Sequence, residues 1–121
     1  MSADMHRTIL TISKDEMLQH SRTLLLESAG YRVVALQPKD IRSFLGDGSQ
    51  PNPALVLLCH SLSEADKQKI SVVVKQKHPN LRVMAMYNVE GDTATYVDRR
   101  ITNMHSPQHL LNSIEELVGG D

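Results

Sequence analysis

Aromatic residues are scarce in this chain, and their scarcity removes one kind of binding surface from consideration. The sequence has no tryptophan, one phenylalanine and three tyrosines. Proteins that read unpaired bases stack them on such rings, so base recognition is not expected. The formal net charge is −1, without the basic excess typical of proteins that bind nucleic acid.

Cysteine and long apolar runs are rare as well. The single cysteine, Cys59, excludes an intrachain disulfide and gives no reason to expect an oxidising compartment. No apolar run approaches the roughly 20 residues of a membrane span, and the first residues do not form a signal peptide. We therefore expect a cytoplasmic protein without membrane contact. Its size and its 40% hydrophobic content predict one domain over residues 1–121.

The most informative stretch that is present runs from Ala54 to His60. Five consecutive apolar residues, Ala54 to Leu58, are followed by Cys59 and His60. A continuous apolar run of this length is typical of a strand buried on both faces of a parallel sheet. Ligands usually bind beyond the carboxyl end of such a strand, so Cys59 and His60 mark the candidate site.

Strand patterns alternate with helix patterns along the rest of the chain. The other strands are predicted at Thr8–Ile12, Tyr31–Leu36, Leu81–Tyr87 and Arg100–Met104. Helix starts are predicted at Ser13 or Asp15, Pro38, Ser63 and Ser106–Pro107, with a further short helix possible after Tyr87. With right-handed crossovers, this order predicts a doubly wound α/β fold with a parallel sheet between two helix layers.

The buried faces of two helices can be predicted from residue spacing. In the first helix, Leu18, Ser21, Leu25 and Ala29 fall on one face, and Gly30 is expected to end the helix. In the third, Ile70, Val73 and Val74 are the expected core residues, although three consecutive valines favour a strand locally. The lysines of this helix (Lys67, Lys69, Lys75 and Lys77) predict a solvated basic side.

The order and lengths of these elements resemble the receiver domains of two-component response regulators. The matching segments are Ile9–Ile12, Leu25–Val34 and Leu55–Leu58. The resemblance covers about residues 7–118 and implies a flavodoxin-like fold with five parallel strands in the order 2-1-3-4-5.

The resemblance also implies a phosphorylation site, and this sequence departs from it at every position. The acidic pair of the family falls on Ser13 and Lys14, and its phosphoacceptor aspartate falls on Cys59. The hydroxyl residue falls on Tyr87 and the lysine on Asn103. The positions therefore match a degenerate receiver, a pseudo-receiver that lacks the phosphoacceptor.

A lysine is a poor substitute for a magnesium ligand. Mg²⁺ prefers carboxylate oxygens, and an ammonium group at Lys14 both removes a ligand and repels the ion. Asp15 is the one carboxylate left beside this position. No metal and no cofactor are therefore expected.

The segment after the fourth strand is short compared with the family. Fifteen residues separate Tyr87 from Asn103, which predicts a shortened fourth helix. The family uses this side for output and dimer contacts, so neither the usual switch nor the usual dimer is expected. The oligomeric state is not predicted.

We expect a non-enzymatic module that acts by protein–protein contact in two-component or phosphorelay-type signalling. Its pocket would be locked in one conformation by Lys14, Cys59 and Tyr87, and its partner would be a signalling protein or an output domain. Direct binding of nucleic acid is not expected.

Three other readings of the site remain open. In the first, the altered pocket around Cys59 and His60 is a small-molecule or redox sensor, with Lys14 or His60 lowering the pKa of the thiol. In the second, His60, His105 and His109 join Cys59 around zinc. In the third, Asp15 or another carboxylate accepts a phosphoryl group.

Overall fold

A computed structural model describes residues 7–46, 53–59, 61–87, 97–102 and 107–118, apart from the side chains of Tyr87 and Thr102. The strands are β1 (Thr8–Ile12), β2 (Arg32–Leu36), β3 (Leu55–Leu58), β4 (Arg82–Tyr87) and β5 (Arg99–Thr102). The helices are α1 (Glu16–Ser28), α2 (Ile41–Gly46), α3 (Glu64–Lys77) and α4 (Pro107–Val118). A short 3-10 turn, Pro38–Asp40, leads into α2.

The five strands form one parallel sheet in the order β2-β1-β3-β4-β5, which confirms the predicted order. The central strand, β3, lies between β1 and β4. All four of its residues are fully buried. A strand covered on both faces has no solvent side, and this explains why its sequence is continuously apolar.

Helices cover both faces of the sheet and create two apolar cores. Leu55 and Leu57 of β3 point into the core beneath α1 and α4, where Leu26 and Ile114 are fully buried. The intervening Val56 and Leu58 point into the core beneath α2 and α3. Because successive strand residues point to opposite faces, one short strand supplies both cores.

The ends of α1 are set by local hydrogen bonds. Asp15 is its N-cap, and the Asp15 carboxylate accepts a hydrogen bond from the Leu18 N–H at 3.1 Å. At the other end, Gly30 has a φ of 98°, which side chains other than glycine rarely adopt. The Gly30 and Tyr31 N–H groups donate to the Glu27 and Leu26 carbonyls, so the predicted end is confirmed.

The predicted buried face of α1 is partly wrong. The most buried α1 side chains are Gln19 and Leu26, whereas Ser21 and Ala29 are exposed. The Gln19 amide donates to the carbonyls of Thr11 and Leu36 at 2.8 and 2.9 Å. These bonds satisfy a buried polar side chain, so the face of α1 includes a residue that hydrophobicity alone would place outside.

The valine-rich stretch of α3 is helical, as predicted. Val73 and Val74 are buried beside Ile70, and Val72 is 47% exposed. Burial against the sheet outweighs the local strand preference of three consecutive valines.

Two further expectations from the sequence concern a membrane-spanning helix and a short helix after β4. No helix among the described residues is both long and apolar enough to cross a bilayer. The predicted short helix after Tyr87 falls on residues 88–96, which lie outside the described residues.

Candidate functional site

The candidate site lies where β1 and β3 end side by side. Ile12 and Leu58 are register partners in the sheet, so Ser13 and Cys59 follow them at the same edge. The Cys59 N–H donates to the Ile12 carbonyl at 3.0 Å. Ser13 is fully buried and Cys59 is 1% exposed, so the two residues form the floor of the site.

Serine hydroxyls join the loops that follow these two strands. The Ser13 and Ser61 hydroxyl oxygens are 2.9 Å apart, and either can donate to the other. Ser61 also accepts from the Lys14 N–H at 3.1 Å, and Ser13 accepts from the Asp15 N–H at 3.0 Å. The β1–α1 loop and the β3–α3 loop are therefore tied together directly above Cys59.

Lys14 forms an ion pair across the same two loops. Its ammonium nitrogen lies 2.7 Å from an Asp66 carboxylate oxygen in the first turn of α3. The hydrogen bond and charge of Lys14 hold the pKa of Asp66 below its ordinary value. The carboxylate nearest to Lys14 in this structure is therefore already matched to a cation.

Asp15, the one carboxylate that the sequence leaves beside Lys14, is used to start a helix. It accepts from the Leu18 N–H as the N-cap of α1. A metal ion at this carboxylate would compete with a hydrogen bond that stabilises the helix start by roughly 1 kcal/mol.

The Cys59 thiol is buried and protonated at neutral pH. Burial raises its pKa to about 11, against the lowering effects of the Arg22 charge, a hydrogen bond with Ser13 and the Lys67 charge. The pKa is therefore raised where the sensor hypothesis expected Lys14 or His60 to lower it; the Lys14 ammonium pairs with Asp66, and His60 lies outside the described residues.

The predicted solvated basic side of α3 is wrong at Lys67. It is 3% exposed, whereas Lys69 and Lys77 are exposed as expected. Its position explains this burial, because Lys67 precedes the core residues Ile70 and Val74 by three and seven positions. Helical spacing alone therefore places Lys67 on the buried face of α3, whereas its charge favoured an exposed position.

The structure does not describe the side chains of several candidate residues. Tyr87 is the last residue of β4 and only its backbone is described, while His60, Asn103 and His105 lie outside the described residues. His109 is exposed on α4. In the described part of the chain, no three histidine, cysteine, aspartate or glutamate side chains form a group that could hold a metal ion.

Comparison with known proteins places this architecture among solved structures. No protein-family model and no curated protein matches the sequence. A response regulator receiver protein from Sinorhizobium medicae aligns with a TM-score of 0.77 and 16% identity, covering 94% of this chain and 95% of that one. A receiver domain from Clostridium thermocellum aligns with a TM-score of 0.79 and 16% identity over 94% and 95%. The chain has the receiver fold.

A third solved structure shows a contrasting site in the same receiver fold. The receiver domain of a sensor histidine kinase from Pseudomonas aeruginosa has a TM-score of 0.77 and 15% identity, with 94% of this chain and 98% of that chain covered. That structure holds a magnesium ion coordinated in its active-site cleft. At identities this low, the similarity establishes the fold and leaves the chemistry to the residues of this chain.

The charges at this end of the receiver fold do not favour a divalent cation. Arg22 and Lys67 both act electrostatically on Cys59, and Lys14 adds a third positive charge at the rim. A hard cation requires carboxylate or carbonyl oxygens that are free to coordinate it. Two carboxylates at this edge are already engaged, because Asp15 caps α1 and Asp66 pairs with Lys14.

Sequence reasoning missed the contacts that close this edge. Ser61 and Asp66 gave no sign of joining Ser13 and Lys14, since they lie about fifty positions later in the chain. The only usable signal was topological: loops that follow neighbouring parallel strands emerge at the same edge of the sheet.

Proposed function

We propose that residues 1–121 form a single receiver-like domain that acts in two-component or phosphorelay-type signalling through protein contacts, without being phosphorylated. The observation that carries this proposal is the buried Cys59 thiol at the end of β3. The resemblance to receivers assigns the phosphoacceptor carboxylate to that position. The proposed module is a cytoplasmic pseudo-receiver with no enzymatic role.

The chemistry of phosphoryl transfer supports this reading. A phosphoryl group in transfer must be met by a nucleophile and neutralised by a divalent cation and positive side chains. Cys59 is a neutral thiol at physiological pH because its pKa is raised to about 11, and the thiolate is the nucleophilic form. The site therefore offers neither the carboxylate nor an evident magnesium position.

The contacts between the loops support a site fixed in one conformation. The Ser13–Ser61 hydrogen bond and the Lys14–Asp66 ion pair both link the β1–α1 loop to the start of α3. A ligand shifts a conformational equilibrium only by binding one state more tightly than the other. With the old ligand positions occupied by internal contacts, the partner-binding surface would be present constitutively.

The reading of Cys59 as a redox or ligand sensor is weaker than the proposal. Reactive thiols are partly exposed and have lowered pKa values, whereas Cys59 is 1% exposed and its pKa is raised. We therefore propose contact with a signalling protein or output domain as the role of this fold, without direct binding of nucleic acid or membrane.

The proposal is tested by challenging the site with the ligands that active receivers use. Amide NMR spectra would be recorded with and without Mg²⁺ and beryllofluoride, and intact mass would be measured after incubation with acetyl phosphate and Mg²⁺. We expect unchanged amide signals at Ser13 and Cys59 and no added phosphoryl group. Saturable shifts at these residues, or a phosphoryl group mapped to this edge, would contradict the proposal.

A pair of charge variants tests the role of Lys14. Lys14→Asp places a carboxylate at the rim and releases Asp66, whereas Lys39→Asp makes the same change in charge at an exposed lysine before α2. We expect Mg²⁺ to shift amide signals near Ser13 more in Lys14→Asp than in either Lys39→Asp or the natural sequence. Equal responses in all three proteins would show that Lys14 does not exclude the ion.

The second test of the proposed function measures the affinity of a partner protein that has been identified by co-purification. We expect its affinity to be the same, within twofold, with and without acetyl phosphate and Mg²⁺. A gain or loss of tenfold or more, about 1.4 kcal/mol, would indicate a phosphorylation-dependent interaction.

A further inference from the structure

The opposite, amino-terminal edge of the sheet carries an open cavity of about 620 Å³. Its walls come from the starts of β3 and β4, the turn after α3 and the end of α4. Ligand pockets for small molecules commonly measure about 300–1,000 Å³. This cavity lies at the far end of the strands from Cys59, so it is independent of the site and of the function proposed above.

Apolar and basic side chains divide the lining of this cavity. Leu81 and Val118 are buried and Ala54 is half-buried, and they form an apolar part of a lining that is otherwise mostly polar. Lys77 and Arg82 are exposed cations of the same lining. A cavity with an apolar part and a few charged groups can orient a ligand that has an apolar body and a charged head.

The positive charges of the lining are largely uncompensated. Neither Lys77 nor Arg82 makes a side-chain hydrogen bond or ion pair within the part of the chain that the structure describes. The carboxylate of the lining, Glu116, is already paired with Arg99 at 2.5 Å. The cavity therefore has an excess of positive charge.

Helix ends account for only part of this charge. Two helices end here, α3 at Lys77 and α4 at Val118, and cations stabilise the carbonyl-rich ends of helices. The Arg7 guanidinium donates to the Val118 carbonyl and so serves α4, while Lys77 lies in the last turn of α3. Arg82 belongs to β4 and serves neither helix.

We propose that this cavity binds an organic anion. A carboxylate or phosphate head would lie between Arg82 and Lys77, with an apolar body against Leu81 and Val118. The planar guanidinium of Arg82 suits such heads because it can donate two parallel hydrogen bonds to a carboxylate or phosphate.

The first test is a titration of the full chain followed by amide NMR. The probes are phenyl phosphate and benzoate, with benzyl alcohol as the neutral compound of similar size. We expect saturable shifts at Ala54, Leu81 and Arg82 with at least one of the two anions, and at least tenfold weaker binding of benzyl alcohol. Binding of phenyl phosphate alone identifies a phosphate ligand, and binding of benzoate alone identifies a carboxylate ligand.

Variants with matched controls locate the anion. Arg82→Gln and Lys77→Gln should each weaken binding of the preferred probe by about tenfold. Arg42→Gln and Lys69→Gln remove one positive charge each from exposed positions on α2 and α3 outside the cavity, and should leave the affinity within twofold. All four positions are exposed, so the fold is expected to persist, and amide dispersion verifies it.

Two results would overturn the proposal. One is the absence of saturable shifts with both anions. The other is equal weakening by cavity variants and control variants, which would show that the anions respond only to net charge.

Discussion

The two ends of the same parallel sheet use their polar residues in opposite ways. At the carboxyl end, polar groups of the loops that follow β1 and β3 are engaged with one another: Ser13 with Ser61, and Lys14 with Asp66 at the start of α3. At the amino end, an open cavity is lined by Lys77 and Arg82, which have no partner in the described chain.

This difference matters because the carboxyl end is where ligands of open parallel sheets are usually found. In the described part of that end, internal contacts join the loops that follow β1 and β3, and burial raises the pKa of the Cys59 thiol. The two cations of the cavity lining that have no partner in the described chain, Lys77 and Arg82, lie at the opposite end.

The largest expected effect concerns the reactivity of Cys59. With a pKa of about 11 instead of 9.0, its thiolate fraction at pH 8 falls by about 100-fold. We expect iodoacetamide to modify the folded protein at least about 100-fold more slowly than the urea-unfolded protein. Mass spectrometry over time measures both rates.

An exposed thiol in the same fold provides the control for this measurement. Met17 is 83% exposed on α1, so a Met17→Cys, Cys59→Ala protein should react within about tenfold of the unfolded chain. If natural Cys59 reacted as fast as this exposed cysteine, the carboxyl edge would be open and the comparison between the two ends would fail.

The second effect is a loss of stability at high pH. The pKa of Cys59 is higher in the folded state, so folding favours the protonated thiol. The contribution of this thiol to stability is complete below pH 9, and it is lost as pH rises towards 11. The expected loss is about 1 kcal/mol at pH 10 and about 2 kcal/mol at pH 11.

Urea denaturation of the natural protein and of Cys59→Ala at pH 8, 10 and 11 isolates this effect. Lysines and tyrosines titrate in both proteins, and only the natural protein has the thiol. The difference in unfolding free energy between the two should shrink with pH by the amounts above. A constant difference would show that the thiol is not desolvated.

The third effect is a difference in stability between variants of two lysines at the amino end, Lys75 and Lys77. Lys75 donates to the Leu81 carbonyl at 2.7 Å and to the Asp98 carboxylate at 2.9 Å, whereas Lys77 has no such partner. We expect Lys75→Met to lower the free energy of unfolding by about 1–1.5 kcal/mol. Lys77→Met should change it by less than about 0.5 kcal/mol. Equal losses would mean that Lys77 is structural too and unavailable to an anion.

The fold was predictable because the sheet is encoded by patterns that act over short distances. The continuous apolar run of β3 and the alternation of strands with helices predicted a doubly wound parallel sheet, and the resemblance to receiver domains implied the strand order β2-β1-β3-β4-β5 that the structure shows. The valines of α3 were assigned correctly because length and neighbouring strands outweighed local preference.

The sequence analysis failed to predict the burial of two polar side chains. Gln19 is buried because its amide donates to two strand carbonyls, and Lys67 is buried beside Cys59. Hydrophobic periodicity assigns such residues to the surface. The positions of Ser13, Lys14 and Cys59 at the strand ends could be read from the sequence, but the contacts that Ser13 and Lys14 make with Ser61 and Asp66 could not.

The smallest expected effect is that of the Lys14–Asp66 ion pair. Lys14 is 57% exposed, and exposed pairs stabilise proteins by about 0.2–1 kcal/mol because water screens them. A double-mutant cycle of Lys14→Ala and Asp66→Ala, measured by urea denaturation, should give a coupling energy in this range. It should decrease when salt is raised from 0.1 to about 1 M.

The small coupling energy of the Lys14–Asp66 pair indicates that other contacts also hold the two loops together. A coupling of 0.5 kcal/mol changes an equilibrium only about twofold, which is too little to hold two loops together alone. The buried Ser13 hydroxyl contacts both Ser61 and Asp15, so Ser13→Ala should cost more, about 1–2 kcal/mol. If the ion pair proved the stronger of the two, closure would depend on salt, and the carboxyl edge would be a switchable site instead of a locked one.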